Sequence, residues 1–210
     1  MTASTERASP LQEWSARFET LSGAGGFSLR EIPFATQLNL RGNPDNSSFS
    51  RNVGALLGCE LPTTANTWSA SPDCTVLWLG PDEWLVVARE GRNESLVEDL
   101  RLALKGLHHA ITDVSANRTM IELAGADARV VLAKGCPLDL HRSAFAPPQC
   151  AQSLVAKSQV ILQSVDDEPT FRLFVRLSFA AYLAEWLMDA AGECIAARTI
   201  DRDQVATRLA

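Results

Sequence analysis

The feature that most limits the possible folds is a pattern that occurs about four times: two short strand-like apolar segments followed by an amphipathic segment with helical spacing. In the clearest example, residues 75–79 and 84–88 flank a turn at 80–83, and a helix over 94–104 follows with Asn93 as its expected N-cap. Proline suits the second position of such a turn because its φ angle is already fixed. This unit predicts a β-hairpin that feeds directly into a helix.

The other three units have little sequence identity with this one, so only the pattern repeats. They are predicted as strands at 27–32 and 34–40 with a helix at 49–57, strands at 110–115 and 119–123 with a helix at 126–134, and strands at 153–165 and 171–177 with a helix from 178 that ends at Gly192. Such a series indicates an α+β fold of mostly antiparallel sheets covered by helices.

The chain of 210 residues has room for one large domain or two small ones. Residues 1–24 are polar and small, and we expect a flexible N-terminal arm with a short helix near 11–21. Residues 25–192 form the predicted body, either a single unit or two intertwined subdomains. Residues 193–210 are predicted to be a C-terminal extension.

Charge and hydropathy exclude several classes of partner. The formal net charge is −6 and the chain has no run of Lys and Arg, which argues against nucleic acid. The N-terminus lacks the apolar core of a signal peptide, and no apolar run approaches the ~18 residues of a membrane span. We therefore expect a cytoplasmic protein without a membrane partner.

The cysteines offer no obvious chemistry. Their number is five, their spacing is wide and no CxxC pair occurs, so neither a disulfide framework nor a zinc site is predicted. Cys136 follows a predicted helix C-terminus, where the helix dipole disfavours a thiolate, so we interpret it as a packing residue. A small enzyme that uses Cys136 is a minor alternative.

Asp113 and Arg118 lie on either arm of a tight connection between two predicted strands. Three interpretations are open for them: an ion pair that stabilises the turn, an arginine that holds the carboxylate of a ligand, or a contact to another chain. The tryptophans Trp78 and Trp84 flank the predicted hairpin turn, and they are expected in the core or at a protein interface.

Several motifs together carry a resemblance to a known family. They are residues 79–85 (LGPDEWL), 113–115 (DVS) with Arg118, 135–140 (GCPLDL), and 150–152 (CAQ) leading into 171–191. Over residues 25–192 the chain resembles the gamma subunit family of heterotetrameric sarcosine oxidase, and it is also similar to the wider family of glycine-cleavage T-proteins. One departure is the order Arg176-Leu177-Ser178, where we expect Arg and Ser to be adjacent.

The resemblance implies a T-protein-like fold and a place in an assembly of alpha, beta, gamma and delta chains. That assembly demethylates sarcosine oxidatively to glycine and hydrogen peroxide and, with tetrahydrofolate, gives methylenetetrahydrofolate. FAD, FMN and NAD are expected on the alpha and beta chains and zinc on delta, with no cofactor on this chain. The family-motif positions, with structural or partner-facing roles, are Trp84, Asp113, Arg118, Cys136, Pro137 and Asp139.

The predicted function is therefore a non-catalytic structural subunit that packs chiefly against the alpha chain. The alternative is a stand-alone folate-binding or aminomethyltransferase-like protein. Asp113 and Arg118 are its only candidate site residues, as a general base and a carboxylate-binding group.

Overall fold

The computed structural model describes residues 7–22 and 26–209, with side chains described as far as residue 197. The strands in this part of the chain are β1 (Ser28–Ile32), β2 (Thr36–Gly42), β3 (Trp68–Ala70), β4 (Cys74–Gly80), β5 (Glu83–Ala88), β6 (His109–Asp113), β7 (Arg118–Ala124), β8 (Cys150–Val155), β9 (Ser158–Ser164) and β10 (Thr170–Arg176). The helices are a 3-10 turn at Gln12–Trp14, α1 (Ser15–Ser22), α2 (Ser47–Leu57), α3 (Asn93–Ala103), α4 (Ala128–Ala133) and α5 (Leu177–Leu209).

The strands form two five-stranded sheets in which all neighbouring strands are antiparallel. Sheet I has the order β1-β7-β10-β9-β8, and sheet II has the order β6-β2-β5-β4-β3. The α+β class with antiparallel sheets covered by helices, predicted from the repeated pattern, is confirmed.

The two sheets are related by an exchange of strands. The first half of the chain runs from β1 to α3. Its strands β2 to β5 belong to sheet II, but its strand β1 lies at the edge of sheet I. The second half runs from β6 to α5. Its strands β7 to β10 belong to sheet I, and its strand β6 lies at the edge of sheet II. Strands β7 and β10 therefore occupy in sheet I the places that β2 and β5 occupy in sheet II.

Packing divides the molecule into four layers. Helices α1, α4 and α5 cover the outer face of sheet I, α2 and α3 cover the outer face of sheet II, and the inner faces of the sheets pack together. Strand β10 shows the alternation that this requires: Leu173 and Val175 point to the helices, and Phe174 points to sheet II. Leu11 and Phe18 join the core under sheet I, so this part of the predicted arm packs on the body.

Local chemistry explains the boundaries that were predicted well. Helix α2 begins where the Asn46 side chain accepts hydrogen bonds from the backbone N–H groups of Ser48 and Phe49. It ends at Gly58, whose φ angle of 71° suits glycine. The short helix expected near residues 11–21 is present as the 3-10 turn and α1, while residues 1–6 and 23–25 of the predicted arm lie outside the described residues.

Two strand predictions were wrong. The long strand over 153–165 is instead the hairpin of β8 and β9, which reverses at Ala156 with a φ angle of 52°. Strands β1 and β2 were expected to pair with each other, but they belong to different sheets because β1 pairs with β7. Strand β3 was not predicted, because its three residues carry no strong alternation.

Two helix boundaries also differ. Helix α5 continues through Gly192 to Leu209, since the glycine adopts helical geometry and leaves the backbone ladder unbroken. Asn93 is the first residue of α3 rather than its N-cap, and its side-chain amide donates to Asp113 instead. No helix among the described residues is both long and apolar enough to cross a membrane.

Candidate functional site

Trp84 has a structural place in the fold. Its side chain is fully buried in the core of sheet II, and its ring lies 5.9 Å from that of Phe49 on α2. The indole Nε1–H donates to the carbonyl oxygen of Pro62 at 2.7 Å. Because both the apolar body and the polar group of the indole are satisfied inside the chain, Trp84 is not available to a ligand.

The motif over residues 135–140 forms the connection after α4. Cys136 is buried, and its Sγ lies 4.0 Å from the Ser153 hydroxyl. Asp139 is exposed, and its carboxylate accepts a hydrogen bond from the backbone N–H of His141, as in an Asx turn. Pro137 of this motif lines an open cleft.

Asp113 and Arg118 are not paired with each other. The Asp113 carboxylate accepts hydrogen bonds from Asn93 Nδ2 and from the backbone N–H of Ser115, both at 2.9 Å, and from the Ser115 hydroxyl. Burial alone would raise the pKa of Asp113, but the hydrogen bonds from Ser115 and Asn93 outweigh it and lower that pKa. Among the described residues no ion pair joins Asp113 to Arg118, so the predicted turn-stabilising pair is not formed.

Arg118 lines a cleft of about 440 Å³ that is formed by strands of sheet I together with Pro137. It is the first residue of β7, and Arg176, the last residue of β10, lies directly opposite it in the antiparallel register. The cleft is lined by Arg118, Pro137, Gln152, Ser153, Leu154, Gln159, Val160, Ile161 and Arg176. It is the place where two of the predicted motif positions, Arg118 and Pro137, come together.

The two positive charges in this cleft have no ion-paired acid among the described residues. Within residues 7–22 and 26–197, neither guanidinium donates a hydrogen bond to a side chain or forms an ion pair. Burial lowers the pKa of Arg118, and the neighbouring charge of Arg176 lowers it further, while Glu83 acts in the opposite direction. Glu83 is itself held by Asn39, whose Nδ2 donates to its carboxylate at 2.7 Å.

Other clefts and clusters in the described part of the chain offer less. In a cleft of about 1,010 Å³, Arg41 is already paired with Asp82 at 2.7 Å in an exposed ion pair. No three His, Cys, Asp or Glu side chains of the described residues are grouped to hold a metal ion. Sequence reasoning did not place Arg176 opposite Arg118, although Arg118 directly precedes one predicted strand and Arg176 lies near the end of another.

Comparisons with known proteins agree with the motifs. The model of the sarcosine oxidase, gamma subunit family matches residues 41–193. The sarcosine oxidase subunit gamma of an Arthrobacter species is 37% identical over 188 residues, which cover 89% of this chain and 91% of the relative. The subunit gamma of Corynebacterium sp. strain U-96 is 36% identical over 194 residues, or 91% of this chain and 93% of the relative.

Solved structures show the same relationship. A chain of the heterotetrameric sarcosine oxidase from Corynebacterium sp. U-96 is 35% identical to this chain and superposes on it with a TM-score of 0.81. The alignment covers 89% of this chain and 95% of that one. The glycine cleavage aminomethyltransferase T from Bartonella henselae is 17% identical with a TM-score of 0.58, covering 81% of this chain and 48% of that one. The second likeness confirms the predicted T-protein-like fold, and the sequence matches show that the chain belongs to the sarcosine oxidase gamma subunit family.

Proposed function

We propose that this chain is a structural subunit of a heterotetrameric sarcosine oxidase and that it performs no catalysis itself. The observation that carries the proposal is the similarity to a chain of the solved Corynebacterium heterotetramer over nearly the full length of both chains.

The side chains in the described part of the chain support a role without chemistry. Cys74, Cys136 and Cys150 are buried, and burial raises the pKa of Cys150 to about 12, which is the opposite of what activates a nucleophile. For the zinc ion of the assembly, the described residues present no group of three metal-binding side chains. Apart from Arg118 and Pro137, which share a cleft, the motif residues that sequence analysis selected lie in separate structural contacts.

The surface supports a role in contact with other chains. The start of α5 exposes Leu177, Phe179 and Tyr182, with 39%, 44% and 39% of their surfaces accessible. Large apolar side chains that are exposed close together in sequence are typical of protein–protein contacts. Burying them against a partner would stabilise both chains.

Under this proposal the partners are the alpha, beta and delta subunits, chiefly alpha, and the assembly acts in the cytoplasm. FAD, FMN, NAD and zinc belong to the partner subunits. The assembly oxidises sarcosine to glycine and hydrogen peroxide and, with tetrahydrofolate, yields methylenetetrahydrofolate. This chain contributes surface and rigidity to that assembly.

The test is to express the chain alone and together with alpha, beta and delta subunits, and to measure native mass and sarcosine-dependent hydrogen peroxide. We expect co-purification in a single assembly and no activity from the isolated chain. Turnover of sarcosine by the purified, flavin-free chain would contradict the proposal, as would an assembly that never includes the chain.

The alternative, a stand-alone folate-binding or aminomethyl-transferring protein, is favoured only by the fold that the chain shares with aminomethyltransferase T. Its candidate residues, Asp113 and Arg118, have separate surroundings in this structure. Calorimetric titration of the isolated chain with tetrahydrofolate separates the two functions. We expect no heat of binding, whereas micromolar affinity lost in Arg118→Gln would favour the alternative.

A further inference from the structure

The antiparallel register places the guanidinium groups of Arg118 and Arg176 on the same face of sheet I, the face that packs on sheet II. Like charges directly opposite each other on paired strands are destabilising. Arg118 is also half-buried, which adds a cost of desolvation. No ion pair or side-chain hydrogen bond among the described residues offsets this cost, and the charge of Glu83 offsets it only in part. The arrangement is therefore unfavourable in the isolated chain, and an anion bound between the two guanidinium groups would stabilise it.

The same two strands show what a balanced version of this arrangement contains. Farther along β7 and on the same face, Glu122 lies between Arg30 of β1 and Arg172 of β10. Its carboxylate accepts from Arg30 Nε at 2.7 Å and from Arg172 Nε at 3.0 Å. One end of the strand pair thus has two arginines with a carboxylate between them, and the other end has two arginines without one.

The related half of the molecule shows that the fold does not require charge at this position. In sheet II, the pair that faces the other sheet at the start of β2 and the end of β5 is formed by Gln37 and Val87. Both are buried and uncharged, and the Gln37 side-chain amide donates to the Arg118 carbonyl oxygen at 2.9 Å. The arginine pair is thus a property of the second half of this chain and not of the fold.

We propose that the Arg118–Arg176 cleft binds a carboxylate of an Asp or Glu side chain from a partner subunit, and this inference rests on the proposed function. Two guanidinium groups around one carboxylate reproduce the chemistry seen at Glu122, with the acid supplied by another polypeptide. Glu83 does not fill this place, since its carboxylate is engaged by Asn39 in the opposite sheet.

The walls of the cleft favour a protein segment over a small molecule. Leu154 is 44% exposed beside the two arginines, and Gln152, Gln159 and Arg176 are exposed as well. A small-molecule site encloses most of its ligand, whereas this cleft is open along an exposed strand. An arginine next to an exposed apolar side chain is typical of protein interfaces, where the apolar contact excludes water from the ion pair.

A zero-length cross-link identifies the carboxylate directly. Arginine does not react with a carbodiimide-activated acid, but the Arg118→Lys variant keeps the charge and introduces a reactive amine. In the assembled complex we expect carbodiimide to join this amine to an Asp or Glu of a partner subunit, as read by peptide mass spectrometry. A cross-link found only to acids of this chain, or no cross-link in an intact complex, would overturn the inference.

Charge reversal measures the contribution to assembly. Arg118→Glu and Arg176→Glu should each weaken association of this chain with its partners by on the order of 10- to 100-fold. The affinity of Arg118→Gln should lie between that of these variants and that of the unaltered chain. The matched control is Arg41→Gln, which removes an exposed arginine that already has a partner in Asp82 and should leave association within about 2-fold. Reversal of the cross-linked partner acid to Lys should restore assembly with Arg118→Glu.

A structural role for the arginines would give a different result. Because Arg118 and Arg176 repel each other, Arg118→Gln should leave the melting temperature of the isolated chain unchanged or raise it. A lower melting temperature together with unchanged association would show that the pair serves the fold, and the inference would be lost while the proposed function stands. Failure of the unaltered chain to assemble at all would instead remove the proposed function.

Discussion

Trp186 of α5 lies directly against Gly135, so that a Cβ on residue 135 would be 2.5 Å from Cζ2 of the indole ring. Backbone also crowds this place, because the Ala156 nitrogen would be 3.0 Å from the same Cβ and donates a hydrogen bond to the Gly135 carbonyl. The connection after α4, the β8–β9 turn and α5 therefore meet at one point where only glycine fits.

The first prediction is that Gly135→Ala destabilises the chain by about 1–3 kcal/mol, since the added methyl group must displace the ring or the backbone. Gly192→Ala is the matched control, because residue 192 lies within α5 and its Cβ would have nothing within 4 Å. Alanine there should be neutral or stabilising by up to about 1 kcal/mol. Denaturant unfolding measures both, and equal effects of the two substitutions would contradict the contact.

The second prediction concerns Glu122, which is 8% exposed and receives hydrogen bonds from Arg30 and Arg172. Glu122→Gln should lower the free energy of unfolding by about 1–3 kcal/mol, because two guanidinium groups lose their charged acceptor. Asp82→Asn, which breaks the exposed pair with Arg41, should cost less than about 1 kcal/mol. A Glu122→Gln variant as stable as the unaltered chain would be evidence against a buried ion network.

The third prediction tests the buried indole of Trp84. Trp84→Phe leaves the Pro62 carbonyl without its donor and opens a small cavity, so we expect a loss of about 1–3 kcal/mol. Trp78→Phe, at a half-buried position across the same hairpin, should cost less because more of that side chain contacts solvent. Chemical denaturation of the two variants, followed by circular dichroism, gives the comparison, and a larger loss for Trp78→Phe would refute it.

The fourth prediction is a dependence of stability on alkaline pH. Burial raises the pKa of Cys150 from 9.0 to about 12. Below pH 9 the thiol is protonated in both states, and its contribution to stability is fully present. Between pH 9 and 12 the unfolded chain loses this proton while the folded chain keeps it, so stability falls as pH rises.

The Cys150→Ala variant isolates this effect, since alanine does not titrate. Its free energy of unfolding should fall less steeply between pH 9 and 10.5 than that of the unaltered chain, although it is less stable at pH 7 through the lost hydrogen bond from Sγ to the Thr67 carbonyl. Parallel slopes for the two proteins over this pH range would show that Cys150 does not titrate differently in the folded state.

Local sequence signals were sufficient to predict the elements whose boundaries are set by residues adjacent in the chain. The hairpin of β4 and β5, the stop of α2 at Gly58 and the packing position of Cys136 all follow from turn chemistry, capping and periodicity within a short window. The repeated strand-strand-helix pattern was enough to predict the α+β class, because each unit must bury one apolar face against another layer.

The sequence by itself determined most of the strand and helix segments, several of their ends, and which family the motifs indicate. Only the tertiary structure decided that β1 pairs with β7 and not with its neighbour β2. It also decided that Arg118 and Arg176 lie opposite each other with no paired acid in the part of the chain that the structure describes. Both results depend on pairing between segments far apart in the chain. Such pairing is selected by the burial of whole sheet faces, and no local pattern of residues encodes it.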